Sequence, residues 1–297
     1  MLNRLCLIIF FTSMLRVVAM AQIVKEFVVE ENEGFDVVQL NFSSYKGVSD
    51  IDKMYINDPI MIHSHLSKVN ILPDFAYSIK DRVLTADLNH SDVEQESFGK
   101  SLSSKLFATS EGDFDHTWEV GLCDKYAYLL DLHFGIGQAN VDLSNLKVKR
   151  CKITTATADV VLNYRKKGAN LTEMDTMMVK VNMGTVDGVN VTQANASNMI
   201  FEVNYGKVNL DFEDHFEGEK PCHIKTTVGA GAVYILLPAP QYPYLVKINS
   251  TAMCRKKLPS YLKELSDKVY ASKGYQEDAK NLITFEIDVS VGSLVLK

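Results

Sequence analysis

The sequence predicts an all-β chain, folded as a single-stranded, solenoid-like stack of bent strands with repeats of about 20–26 residues. Three observations predict it. Apolar residues alternate with other residues over long runs, the period-two mark of a strand with one buried face. Within each run the alternation slips beside a small residue. In Leu130 to Leu143, for example, Leu132, Phe134 and Ile136 are followed, across Gly137 and Gln138, by Ala139, Val141 and Leu143. A three-residue step inverts the phase, so the chain must bend there to keep both halves facing one core, and glycine suits a tight corner. The same pattern also returns five more times. The small residues Gly137, Ala158, Gly184, Gly206, Gly229 and Gly292 form the expected corner column, and the first four intervals are 21, 26, 22 and 23 residues. A meander or sandwich of unrelated alternating strands is the alternative.

Taken in order, the chain opens with MLNRLCLIIFFTSMLRVVAMAQ: Arg4 in a short positive head, an apolar run from Leu5 to Leu15, and Ala19-Met20-Ala21 before Gln22. This reads as a secretory signal peptide over residues 1–21, the run being short for a membrane span of ~20 apolar residues. A retained N-terminal anchor is the alternative. The small-residue site is not followed by a cysteine, so a lipoprotein anchor is not expected, nor is a membrane span after cleavage. Loss of Arg4 and Arg16 takes the net charge from −6 to −8, which argues against nucleic acid and anionic lipid as partners.

Residues 22–117 are less regular. Phe35 to Phe42, Ile60 to His65 and Val83 to Leu88 read as strands, Lys46-Gly47 as a turn, and Asp92 to Leu106 as a short helix or exposed loop. They are expected to open and cap the same body, a separate small domain being the alternative. Residues 118–297 carry the repeats: strand pairs around Ile153 to Leu162, Val179 to Val186, Phe201 to Phe212, Ile224 to Ile235 and Phe285 to Leu296. In each, the apolar positions on both sides of the corner are read as core. An insertion at 238–282 interrupts them and is a second cap, which an open stack needs to cover its strand edges. Within it Leu262, Leu265 and Val269 fall on one helical face after Ser260, which suggests a helix of two or three turns closed by Gly274.

Four cysteines follow the leader: Cys123, Cys151, Cys222 and Cys254. In an exported chain an even number permits two disulfides. Cys151 with Cys222 is disfavoured because both precede the first apolar position of a repeat by two residues, several layers apart. Cys123 with Cys151 and Cys222 with Cys254 is preferred, and free buried thiols are the alternative.

Trp118-Glu119-Val120, DLHFGIGQANVDLSNLKVK (131–149), the repeat from Ile153, VGAGAVYILLP (228–238) and FEIDVSVGSLVL (285–296) together resemble the toast-rack and LiaF-like C-terminal domains of cell-wall-active antibiotic response proteins, and their exported adhesin-like β-solenoid relatives. The resemblance covers the last three-fifths of the chain. It implies a compact β-solenoid body without a catalytic centre, used in envelope sensing or as an interaction module. It would also make part of the Tyr261 to Tyr275 segment loop and short strand rather than helix. The chain departs from the LiaF-like arrangement in having no membrane helices ahead of the domain.

No catalytic motif competes with this. His63-Ser64-His65 puts two imidazoles on one strand face without further ligands, and Asp131, Asp142, Asp159, Asp187 and Asp211 lack the glycine-aspartate repeat of calcium-binding solenoids. A G-x-S-x-G elbow, an H-E-x-x-H helix and a P-loop are absent from the sequence. The expectation is a non-enzymatic, cofactor-free and metal-free exported protein of the periplasm or cell surface. It would bind an envelope protein or glycan as a binding, sensing or scaffold module. An adhesin-like surface protein and a carbohydrate-active enzyme on a β-helix are the alternatives. Any ligand is expected on the outward residues Gln138, Asp159, Thr185, Lys207 and Ser293.

Overall fold

In a computed structural model that describes residues 23–66, 72–90, 116–213 and 220–297, the chain is a stack of long bent strands within one open sheet. The expected leader and the 92–106 stretch lie outside the described residues. The stack is built from β2 (Val37–Lys53), β7 (Ala127–Asp142), β8 (Lys147–Asn163), β9 (Met174–Val189), β10 (Ala196–Asp211), β11 (Cys222–Leu236) and β16 (Ile283–Leu296). Neighbours in that order are parallel. Parallel strands ordinarily need a crossover of a dozen or more residues. Here only residues 143–146 separate β7 from β8. So short a link works because each strand folds back at its corner and returns its end to the level of its start. One strand thus makes most of one solenoid turn.

The two arms of each strand face each other, and the alternating residues between them are the core. Across the rungs of the first arm, Leu40, Leu130, Cys151, Met177, Met199, Ile224 and Phe285 stand in register. On the second arm the matching row is Ala139, Val160, Val186, Val208, Val233 and Leu294. All of these are fully buried, and removing a side chain of this size from water contributes about 1.5–3 kcal/mol.

Both ends of the stack are split turns, in which separate strands serve the two arms. At one end β5 (Val83–His90) pairs the first arm of β2 and β6 (Thr117–Leu122) the second. Beyond them lie β4 (Asp74–Lys80), antiparallel to β5, and β3 (Ile60–Leu66) and β1 (Ile23–Val29) in antiparallel succession on β6. Trp118 fills this end, edge-on to Phe42 at 5.6 Å. The Tyr128 hydroxyl lies 2.8 Å from the carbonyls of Pro59 and Cys123 and accepts the Cys123 N–H, tying two loops to β7. At the other end β12 (Tyr244–Ser250) pairs the first arm of β16 and β13 (Cys254–Lys257) the second. Residues 238–282 therefore supply a turn that lies beyond β16, although it precedes β16 in the chain.

The helix expected after Ser260 is not there. β14 (Lys263–Ser266) and β15 (Val269–Ala271) form an antiparallel hairpin on β12, turning at Lys268 with φ 60°. Three apolar residues at helical spacing have too little to bury: Leu265 is exposed, and β15 satisfies its backbone by pairing with β12. The short-strand expectation from the resemblance describes this segment better.

Candidate functional site

The corner is the feature that every turn shares. Gly47, Gly137, Gly184, Gly206, Gly231 and Gly292 all have φ between 119° and 151°, a region that side chains with a Cβ rarely adopt. They stack directly: a Cβ on Gly206 would sit 1.8 Å from the Gly184 carbonyl, and one on Gly231 1.7 Å from that of Gly206. Carbonyls can stack this closely only where no side chain intervenes.

Two column assignments read from sequence change here. The β11 corner is Gly231, not Gly229, because Gly206 pairs Gly231, which pairs Gly292. Gly229 lies two residues earlier, against Asn204, outside the positive-φ set. The column also gains Gly47, which aligns with Gly137 and had read as an isolated turn.

Ala158 occupies the β8 corner, paired with Gly137. It is not among the positive-φ residues, and the β8–β9 ladder stops after Thr155–Val181 and resumes at Val160–Val186. Side chains fill the interruption. The Asp159 carboxylate accepts the Thr185 N–H at 2.7 Å, and the Thr155 hydroxyl donates to the Ala158 carbonyl at 3.1 Å.

Two rows of outward residues flank the column. The residues expected to face out, Gln138, Asp159, Thr185, Lys207 and Ser293, do share one row after the corner, completed on β11 by Ala232 and ended by Arg255 of β13. The row before the corner has the alternation of a core row, but in the structure it lies outside the core. Ile136, Met183, Tyr205 and Val291 stand there in line with Thr157 and Ala230. Tyr205 is 59% exposed and Val291 40%, while Ile136 and Met183 are half-buried. The bend begins at this residue, so its side chain lies on the outside of the corner, where the opposite arm cannot cover it. Met253, 66% exposed, continues the row one residue before the Cys254–Gly292 pair. The result is an apolar ridge beside a polar row, running from β7 to β16 over about 24 Å at ~4.8 Å per rung.

Away from the ridge, the outer faces carry several paired polar side chains. On the first arm Asp131 binds Lys152 at 3.0 Å and Lys180 binds Glu202 at 2.9 Å. Burial holds His133, beside them, below its usual pKa. On the second arm Asn140 donates to Asp50 and Asn209 to Asp187. Asp142 holds Arg165 and the Ser144 N–H, and Asp211 the Glu213 N–H. The five repeat aspartates are thus dispersed, each with its own partner. His63 and His65 share the outer face of β3, with Glu26 and Glu119 beside His63 on the adjacent strands. Among the described residues no group of three or more His, Cys, Asp or Glu is arranged to hold a metal ion, and no helix is long and apolar enough to cross a membrane.

Cys123, Cys151, Cys222 and Cys254 are buried free thiols, so the preferred disulfide pairs do not form. Cys222 aligns with Ile283 at the start of β16 and Cys254 with Gly292 at its corner. Nine residues of strand separate those positions, roughly 30 Å at ~3.3 Å per residue. Cys123 and Cys151 lie in layers three strand spacings apart, roughly 14 Å. A disulfide needs its Cα atoms within about 7 Å. Burial pushes the thiols of Cys151 and Cys222 up to about 12, and Cys151 simply takes one place in an apolar core row.

No family profile matches the chain and no curated protein matches it. Among solved structures it is similar to a provisionally described cell adhesion protein from Clostridium sporogenes, at 15% identity and a TM-score of 0.49 over 93% of this chain and 99% of that one. Provisionally described adhesins from Bacteroides fragilis (10% identity, TM-score 0.38) and Parabacteroides distasonis (12%, 0.35) each align over 94% of this chain and 98% of their own. At these values no site or activity carries over.

Proposed function

We propose that the chain is an exported, non-enzymatic binding module of the cell envelope, which lays its corner ridge along an extended protein or glycan ligand. The observation that carries this reading is the mainly apolar row before the corner, interrupted by Thr157, in which Tyr205 and Val291 are exposed and Ile136 and Met183 half-buried. An apolar strip beside polar groups is a mark of interaction surfaces rather than of ordinary solvated faces. Tyrosine is well suited to the centre of one, with a large apolar ring and a polar tip. The row's backbone is paired rung to rung from β9 to β16, which lowers the ordering cost of binding on the protein side. The leader read at residues 1–21 supports delivery to the envelope.

The test is retention of purified protein (residues 22–297) on isolated cell-wall sacculi and on an immobilised glycan panel. The M183S/Y205S double variant should lose retention by about tenfold or more, while Lys180→Ala on the first-arm outer face should keep it, with matching circular dichroism. If both variants lose retention equally, or if the parent protein binds neither surface, the ridge reading is wrong.

A further inference from the structure

The stack ends in free strand edges, and one of them is self-complementary. β4 pairs β5 along one edge and has no partner on the other among the described residues. Among the described residues, several devices that usually protect such an edge are missing. The β4–β5 register has no bulge, and DFAYSIK has no proline and no charge between its ends. Phe75, Tyr77 and Ile79 lie opposite Leu88, Ala86 and Leu84, which are buried, so their face continues the core beyond the last covered layer. Phe75 reaches across to Phe27 of β1 at 5.3 Å, yet Tyr77 remains 55% exposed and Ile79 43%.

We infer that β4 is a homodimer edge, which pairs antiparallel with β4 of a second copy about a two-fold axis through Tyr77. The register follows from symmetry. A two-fold axis perpendicular to a sheet keeps each face on its own side, so it must pass through a residue, and Tyr77 is the middle residue of Asp74–Lys80. That register sets Asp74 opposite Lys80 of the second copy, twice, and Phe75 opposite Ile79, twice, with Tyr77 against itself. The only two charges on the strand thus meet their opposites across the dimer, on the outer face. The exposed apolar residues meet one another on the inner face. A parallel pairing, or an antiparallel one shifted by two residues, loses the charge match. The inference is independent of the ridge, which lies at the corner.

The test is sedimentation of the full chain without its leader over a range of concentrations. The parent protein should dimerise reversibly. Lys80→Asp alone sets like charges opposite each other at two places, as does Asp74→Lys, and each should weaken self-association by about tenfold. Mixing the two variants should restore it, and so should combining them in one chain as D74K/K80D, where only the antiparallel two-fold register pairs unlike charges again. Restoration on mixing also excludes misfolding as the cause of the loss. A parent that stays monomeric at every concentration, or a dimer indifferent to these substitutions, overturns the inference.

Discussion

Gly206→Ala is the sharpest probe of the corner column, and Gly184→Ala is its natural comparison. Both glycines sit at nearly the same backbone angle, φ +146° and +144°, so an alanine at either meets the same conformational strain, about 1–3 kcal/mol. Their surroundings differ. The new Cβ at 206 falls 1.8 Å from a backbone carbonyl oxygen, which cannot yield without moving the adjacent rung. At 184 its nearest neighbours are the Asp159 carboxylate at 3.0 Å and the Ala158 carbonyl at 3.1 Å, in the gap the interrupted ladder leaves. Overpacking against fixed backbone adds about 1–3 kcal/mol. Gly206→Ala should therefore destabilise by about 2–6 kcal/mol and Gly184→Ala by about 1–3. Equilibrium urea unfolding measures both, followed by far-ultraviolet circular dichroism and by the fluorescence of the single tryptophan, Trp118. Equal losses, or a neutral Gly206→Ala, would refute the argument that stacked carbonyls set the glycine requirement.

Three further outcomes are expected. In the chain without residues 1–21, labelling with a thiol reagent should be slow in the native protein and should reach four groups on unfolding without reductant, because the thiols are buried and two are pushed up to about 12; fewer than four would restore a disulfide. Asp52 has its pKa raised, chiefly by burial and then by Asp142 beside it. Its ionisation therefore costs more in the folded chain than in the unfolded one. That penalty is absent below the ordinary value of 3.8 and complete once the pH exceeds the raised folded value. Asp52→Asn should accordingly raise the unfolding midpoint near neutral pH and leave it unchanged below 3.8; a loss of stability at neutral pH would contradict the sign. Tyr128→Phe should cost about 1–3 kcal/mol, since the buried Cys123 N–H loses its hydroxyl acceptor and the Pro59 carbonyl its donor; a neutral result would mean that water replaces the hydroxyl.

Much of the fold is legible in the sequence because a stack repeats its evidence. The phase slip at Gly137, Gly184, Gly206 and Gly292 could be read from any one strand, and agreement among them outweighed local irregularities. Where sequence and structure differ, the causes are identifiable. Gly229 and Gly231 differ by two residues, and a shift of two leaves every side chain on its own face, so alternation alone cannot separate them. The sequence after the corner could have: Gly231-Ala232-Val233 matches Gly206-Lys207-Val208, as the observed register does. The β2 turn escaped because Ser44 and Ser49 stand at core positions, beside Phe134 and Ala139, and share a hydrogen bond at 3.4 Å instead of burying apolar groups. The ridge escaped for the opposite reason. Ile136, Met183, Tyr205 and Val291 have the apolar character of a core position, and only the geometry of the bend turns them outward. The self-matched charges of β4 were present in DFAYSIK but acquire meaning only once the strand is seen to have an open edge.

The placement of β16 bears on how the stack is assembled. A repeat array can grow by adding each new turn to the face left open by the last. β7 to β11 can form in that way, since each strand follows its neighbour closely in the chain. At β11 the sequence of events must change. Its open face is taken by β16, 61 residues further on by the Cys222–Ile283 pairing, while β12 and β13, made first, join the stack only through β16. The intervening residues have no template until β16 docks, and closing so long a loop is slow. This end of the molecule should form last and as one event, so a lesion in β16 would unseat two turns rather than one.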